Sequence, residues 1–151
     1  MLSKILVDAD ACPVKQEVYR VARRYGLRVT LVANSPMHVP AEDWIELVVV
    51  SDQLDAADNW IVEYATKNDI VVSGDIPLAS RCLKKGARVL EPKGRIFTDD
   101  SIGDALATRD LMSHLRDIGV VTGGPAPFEK RDRSRFLHSL DTIIQAIRNG
   151  K

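Results

Sequence analysis

The chain of 151 residues carries 21 basic and 21 acidic side chains, so its formal net charge is zero. The hydrophobic fraction of 45% and the charged fraction of 28% are ordinary for a soluble globular protein. No apolar run approaches the roughly 20 residues that span a bilayer, which argues against a membrane protein. The balanced charge also argues against a protein that is held to nucleic acid by a uniformly basic surface.

The beginning of the chain and its cysteines indicate a reducing compartment. An acidic strand end is reached by Asp8, which leaves no room for a secretory signal, so we expect a cytoplasmic protein. Cys12 and Cys82 form no CxxC pair, and we expect reduced thiols rather than a disulfide or a zinc site. A homo-oligomer is compatible with the sequence, which does not determine the oligomeric state.

Strand and helix patterns alternate along the chain. The strands are predicted over KILVD (4–8), LRVTLVA (27–33), IELVVV (45–50), a short strand within DIVVSGD (69–75), ARVLE (87–91) and a brief extended piece ending at 97. The helices are predicted over 12–26, 55–68, 76–86, 98–119 and roughly 133–149. Pro13 suits the first turn of the first helix, and Gly26 suits its C-terminal exit. A glycine- and proline-rich loop is expected over 120–132.

This alternation predicts an α/β fold in which helices flank a mainly parallel central sheet, giving a single three-layer domain over residues 1–151. In sheets of this kind, ligands bind outside the carboxyl ends of the strands. Polar residues at those ends are therefore the first candidates for a functional site.

Acidic side chains follow two of the predicted strands. Asp8 and Asp10 end the first strand, and Asp75 follows the fourth. Asp55 and Asp58 lie three residues apart near a helix start and share a face. If the two strands are adjacent, these carboxylates converge and repel one another unless a divalent cation bridges them, and oxygen ligands suit Mg²⁺ or Mn²⁺. Capping and turn-forming roles for the same aspartates are the alternative.

Several motifs resemble a known family. The resemblance is carried by the stretches VDADACPVK, DAADNWIV, SGDIPLASRCLKKGA, and TGGPAPF followed by DRSRF. They resemble the YaiI/YqxD family of uncharacterised bacterial proteins, and the resemblance runs over nearly the whole chain. The acidic arrangement is in turn similar to that of PIN-like nucleases, which hold Mg²⁺ or Mn²⁺ and cut RNA. This resemblance implies a PIN-like domain in which Asp8, Asp58 and Asp75 are the catalytic residues and the metal ligands.

The same resemblance implies supporting roles for three further residues. Asp10 and Asp55 would be accessory acids. Ser73, in SGD, stands where PIN-like nucleases have the threonine of a T-x-D pattern, which is a departure from their motif. The resemblance therefore implies a metal site more directly than it implies cleavage.

Two concentrations of basic residues are candidates for contact with an RNA substrate. Arg81, Lys84 and Lys85 belong to the first, and Lys130 and Arg133 belong to the second. Either group could follow a phosphate backbone beside the acidic site. The alternative is that both are solvated surface.

Two other functions are compatible with the motifs. The pair DAD suggests a phosphatase of the haloacid-dehalogenase type, with Asp8 as nucleophile and Asp10 as general acid, but Ala11, Cys12 and Pro13 follow instead of the expected G-T. A non-catalytic module that binds a metal or nucleic acid is the second alternative. Cys12, at a helix start, could be a nucleophile or a small packing residue, and the packing role is favoured.

Overall fold

The computed structural model describes residues 3–124 and 126–151. Its strands are β1 (Lys4–Asp8), β2 (Arg28–Ala33), β3 (Ile45–Val49), β4 (Ile70–Val72), β5 (Arg88–Leu90) and β6 (Ile96–Phe97). Its helices are α1 (Lys15–Tyr25), α2 (Ala56–Tyr64), α3 (Ile76–Lys84), α4 (Asp99–Asp117) and α5 (Lys130–Arg148). No helix in these two ranges is both long enough and apolar enough to cross a membrane.

The strands form one sheet in the order β3-β2-β1-β4-β5-β6. The first five strands in this order are mutually parallel, and β6 pairs with β5 in the antiparallel direction. The prediction of a mainly parallel α/β sheet flanked by helices is therefore confirmed. β1 lies between β2 and β4, and its register places Leu6 opposite Val71 and Val7 opposite Val72.

The central strands are apolar on both faces because helices cover both faces. One face buries Ile5 and Val7 of β1 with residues of α1 and α5. The other face buries Leu6 with residues of α2, α3 and α4. Side chains alternate between the two faces of a strand, so Asp8 continues the row of Leu6. Its carboxylate therefore belongs to the side of the sheet on which α2, α3 and α4 pack.

Helix α2 ends at Tyr64, four residues before the predicted end of the helix at residue 68. The cause is Asp69, whose Oδ2 accepts hydrogen bonds from the Thr66 amide at 2.8 Å and from the Thr66 hydroxyl at 2.7 Å. Lys4 Nζ also reaches Asp69, at 2.6 Å. Burial alone would raise the pKa of Asp69, but the hydrogen bonds from Lys4 and Thr66 lower it below its usual value. These contacts turn the chain into β4.

Helix α1 begins at Lys15, so the prediction that Pro13 lies in its first turn is wrong. Ala11 adopts a left-handed φ of 60° and Val14 is the N-cap residue, so the chain turns for several residues before the helix starts. Gly26 ends α1 as predicted, with a left-handed φ of 69° and its amide bonded to Arg23 O.

Helix α5 begins at Lys130, three residues before the predicted start. The Glu129 amide donates to Asp132 Oδ2 at 2.8 Å, which satisfies a backbone group at the start of the helix. The predicted loop over 120–132 therefore ends at Glu129, and Pro125 within it lies outside the described residues. Helix α4 begins as predicted, since Thr98 Oγ1 accepts from the Ser101 amide at 3.1 Å.

Replacement of Gly94 by alanine is expected to destabilise the protein. Gly94 has a φ of +96°, and an added Cβ would lie 2.8 Å from backbone and side-chain atoms of Arg135 in α5. Left-handed strain and overpacking together should lower the free energy of unfolding by roughly 2–4 kcal/mol. Gly103→Ala is the control, because Gly103 lies in α4 with no atom near its missing Cβ, and it should stabilise by about 0.5–1 kcal/mol. Urea unfolding of both variants checks this, and equal effects would contradict it.

Candidate acidic site at the carboxyl edge of the sheet

Asp8 and Ser73 meet at the ends of β1 and β4. The register that pairs Val7 with Val72 brings the next residues of the two strands side by side. Ser73 is buried, and its Oγ donates to Asp8 Oδ2 at 2.9 Å. Ser73 Oγ also accepts a hydrogen bond from the Asp75 amide, at 3.0 Å. A single hydroxyl therefore links the acid that ends β1 to the acid that precedes α3.

Asp75 is the N-cap residue of α3. Its Oδ1 accepts the amide of Leu78 at 2.9 Å, and its backbone is extended, as is usual for this position. The sequence alternative for Asp75 is a turn residue before α3, and the structure gives it the capping role instead. The capping bond uses Oδ1 and leaves the second carboxylate oxygen of Asp75 outside it.

Helix α2 supplies the other two acids from its first turn. Asp55 is the N-cap residue, but it has a left-handed φ of 67° and its side chain makes no capping hydrogen bond. The capping interpretation of Asp55 is therefore confirmed for its position before α2, but its side chain does not form the expected capping hydrogen bond. The pKa of Asp58 is raised to about 6, first by burial and then by the negative charges of Asp75, Asp8 and Asp55, with Arg81 partly offsetting the rise.

Asp8 is subject to the same mutual repulsion. Burial raises its pKa, the hydrogen bond from Ser73 opposes that change, and the charges of Asp75 and Asp10 raise the pKa further. Asp10 itself is exposed, and its Oδ2 accepts the amide of Asn34 at 2.9 Å beyond the end of β2. The fold thus brings Asp8, Asp58 and Asp75 within electrostatic range of one another. Asp10, which also acts on Asp8, is held by the amide of Asn34.

The donor chemistry of this edge is that of a hard divalent cation, because every candidate ligand is a carboxylate or hydroxyl oxygen. In the described part of the chain, no three histidine, cysteine, aspartate or glutamate side chains are grouped so that they could hold a metal ion as they stand. Mg²⁺ commonly keeps several waters and binds through one or two carboxylates with substrate phosphates. The described side chains, as they stand, therefore do not form an all-protein cage for a metal ion.

The basic residues of the first group have different surroundings. Arg81 NH1 donates to Asn59 Oδ1 at 3.0 Å, and its charge acts on Asp58 in the neighbouring turn. Lys84 is exposed on α3. Lys85 Nζ donates to the carbonyls of residues 62 and 63 at 2.5 and 2.9 Å, which satisfies the C-terminal end of α2. Arg81 is thus placed beside the acids, whereas Lys85 makes a structural contact.

The second basic group lies against α1. Arg133 NH1 contacts Glu17 Oε1 and Pro13 O, each at 2.8 Å, and its guanidinium lies over the ring of Phe128 at 4.9 Å. Lys130 is exposed in the first turn of α5. Helices α1 and α5 cover the face of the sheet opposite to the row of Leu6 and Asp8. Arg133 nevertheless reaches Pro13 O, in the segment that follows Asp8 and Asp10 at the carboxyl edge.

Some residues of the site have no sequence signal of their own. Asn34 and Asn59 hold Asp10 and Arg81, and neither stands in a recognisable motif for that role. Cys12 is buried, and burial raises its pKa despite the opposing hydrogen bond from the Val14 amide. A reactive cysteine needs a lowered pKa, so the structure supports the packing role of Cys12.

The fold and the acidic edge define a three-layer α/β protein with its candidate site outside the carboxyl ends of β1 and β4. A family model described as "Uncharacterized BCR, YaiI/YqxD family" matches residues 6–146. The chain therefore belongs to the YaiI/YqxD family, as its motifs indicate.

Curated relatives agree with this membership. A UPF0178 protein of Rhodospirillum centenum is 56% identical over 151 residues, covering 97% of this chain and 98% of its own. A UPF0178 protein of Brucella ovis is 58% identical over 147 residues, covering 97% and 91%. One of Paramagnetospirillum magneticum is 56% identical over 143 residues, covering 95% of each chain. The similarity thus extends over nearly the full length of each protein.

The raised pKa of Asp58 predicts a pH-dependent stability. In metal-free buffer the folded state holds the Asp58 proton up to about pH 6, whereas the unfolded chain releases it near pH 3.8. Stability of the wild type should therefore fall as the pH rises through this window. Asp58→Asn removes the charge and should be more stable at pH 8 by about 1–2 kcal/mol, once solvent screening is allowed for, with little difference at pH 4. Urea unfolding in EDTA measures this, and an equal effect at both pH values would contradict it.

Proposed function

We propose that this protein is a Mg²⁺- or Mn²⁺-dependent ribonuclease that hydrolyses RNA phosphodiesters at the acidic edge. The observation that carries the proposal is the link between Asp8 and Asp75 through Ser73 Oγ at the carboxyl ends of the adjacent parallel strands β1 and β4. Asp58 of α2 is near enough for the charges of both acids to raise its pKa. Their mutual repulsion is unfavourable for folding, and a divalent cation relieves it. The similarity of this arrangement to that of PIN-like nucleases supports the same reaction.

The residues of the chain have separable roles in this proposal. Asp8 and Asp75 hold the cation, and Ser73 fixes both of them through its hydroxyl. Asp58 would contact the hydrated cation from α2, and Arg81 beside it would be available to a phosphate oxygen. When bound, Mg²⁺ or Mn²⁺ supplies activation of water and neutralisation of phosphate charge.

The reaction itself is a hydrolysis. The oxygen of water forms a bond to phosphorus while the bond from phosphorus to one sugar oxygen breaks. The proton of the water passes to a carboxylate of the edge and then to solvent, and the leaving sugar oxygen gains a proton from solvent. Asp55 and Asp10 contribute negative potential around the centre, as accessory acids, rather than direct ligation.

Asparagine substitutions test the proposal with little disturbance of the fold. Asp8→Asn retains an oxygen that can accept the Ser73 hydroxyl, and Asp75→Asn retains a good N-cap for α3. Each should reduce Mn²⁺-dependent cleavage of a labelled RNA by at least a factor of about 100, because the cation loses a charged ligand. The rise in melting temperature on addition of Mn²⁺ should also shrink.

Asp43→Asn is the matched control. Asp43 is exposed and lies just before β3, at the opposite edge of the sheet, so cleavage and the Mn²⁺ response should be unchanged. Wild-type cleavage that survives Asp8→Asn would refute the assignment. Mn²⁺ or RNA binding without cleavage would instead favour the non-catalytic module, and hydrolysis of small phosphomonoesters alone would favour the phosphatase.

A further inference from the structure

A groove beside the acidic edge is lined by three arginines. It has a volume of about 290 Å³ and lies between α4, the start of α3 and the segment that leads into β6. Arg95, Arg109 and Arg116 line it, with Asp104 as the single acidic lining residue. Ile76 also lines it, and Ile76 directly follows Asp75 in the chain. The groove therefore reaches the first residue of α3, next in sequence to the candidate ligand Asp75.

The arginines of α4 are arranged along one side of the helix. Arg109 and Arg116 are seven residues apart, which is close to two full turns, so their side chains share a face about 10 Å apart along the axis. Both are exposed. Arg109 pairs with its neighbour Asp110 at 3.6 Å, an exposed contact of little strength. In residues 3–124 and 126–151, neither Arg95 nor Arg116 forms an ion pair.

A polyanion cannot approach the acidic edge without help. Asp8, Asp58 and Asp75 repel phosphate, and one or two divalent ions offset only the charge next to them. The rest of an RNA strand must be held by cationic groups a few nucleotides away. Arginine is suited to this role because its planar guanidinium forms paired hydrogen bonds to phosphate oxygens.

We infer that the groove of Arg95, Arg109 and Arg116 binds the phosphate backbone of a single-stranded polynucleotide and directs it to the acidic edge. This inference rests on the proposed nuclease function and names the surface that holds its substrate. A positively charged groove that follows one backbone is the usual way in which proteins bind single strands. The spacing of Arg109 and Arg116 lets them contact different phosphates of the same strand.

The position of the groove separates it from other basic surfaces. A cavity that contains Lys4, Arg28 and Lys67 lies at the amino ends of the strands, away from the acids. Lys4 is also neutralised there by Asp69, at 2.6 Å. Arg20 and Arg23 lie on α1, across the sheet from α4. The arginine groove, by contrast, shares α3 and the same face of the sheet with the acidic site.

Binding of a fluorescein-labelled single-stranded oligoribonucleotide in EDTA tests the inference without cleavage. The double variant Arg109→Gln/Arg116→Gln should raise the dissociation constant about tenfold. Its salt dependence should become shallower by about 1.4 in the slope of log K against log salt, since each phosphate contact on a single strand contributes about 0.7. Arg23→Gln, at an exposed position of α1, is the matched control and should bind like the wild type. Circular dichroism and melting temperature verify that each variant is folded.

Cleavage in Mn²⁺ distinguishes failure of the groove from failure of the nuclease. If the groove and the nuclease site are both correctly assigned, the double variant raises KM with kcat unchanged. Asp8→Asn, in contrast, lowers kcat and still binds RNA. Wild-type binding and KM in the double variant would overturn the groove even if the protein cuts RNA. Groove-dependent binding by a protein that does not cut would support the groove and refute the nuclease.

Two further probes define the ligand. If a DNA strand of the same sequence binds equally, the groove recognises phosphate alone, which supports the inference. If RNA binds more tightly than DNA, the groove also recognises the sugar. A duplex of the same sequence should bind more weakly. Tighter binding of the duplex, or absence of binding by either strand, would overturn the assignment.

Discussion

Parallel hydrogen bonding between β1 and β4 places Asp8 beside Ser73, and the other contacts of the candidate site depend on that pairing. A shift of one residue in register would move Asp8 to the opposite face, where α1 and α5 pack. The observed register is specified by apolar side chains on both faces of β1 and β4, since each strand is buried on both sides. Core packing therefore determines the position of the acids before any ligand contributes.

The fold follows from local patterns, but several boundaries do not. The sequence predicts the apolar strands and their alternation with helices, because each apolar run is bounded by polar residues or glycine. The end of α2 depends on Asp69, which is held by Lys4 from 65 positions away. Likewise, the direction of Asp10 depends on Asn34, and Arg133 is held by Glu17 from 116 positions away. Such distant partners leave no periodic signal, so the acidic edge is predictable and its hydrogen bonds are not.

The acids of the edge affect the stability of the folded protein, whereas the exposed arginines of the groove are available for binding. Burial and like charge raise the pKa values of Asp8 and Asp58, which is a cost to the folded protein without a cation. Ser73 and the N-terminus of α3 reduce this cost by hydrogen bonds to Asp8 and Asp75. The groove arginines lie too exposed to offset it, and their positive charge is available to an anionic partner instead.

Helix α4 is long but weakly anchored. Of its 19 residues, Ala105 is the one that is buried, and Leu111 remains 56% exposed. Little apolar burial therefore opposes its separation from α3, and its amides should exchange with solvent in a unit distinct from the sheet. A ligand that bridges α4 to α3 would lock that unit. The proposed substrate surface would then be ordered by the substrate itself, while Asp8 stays fixed at the end of β1.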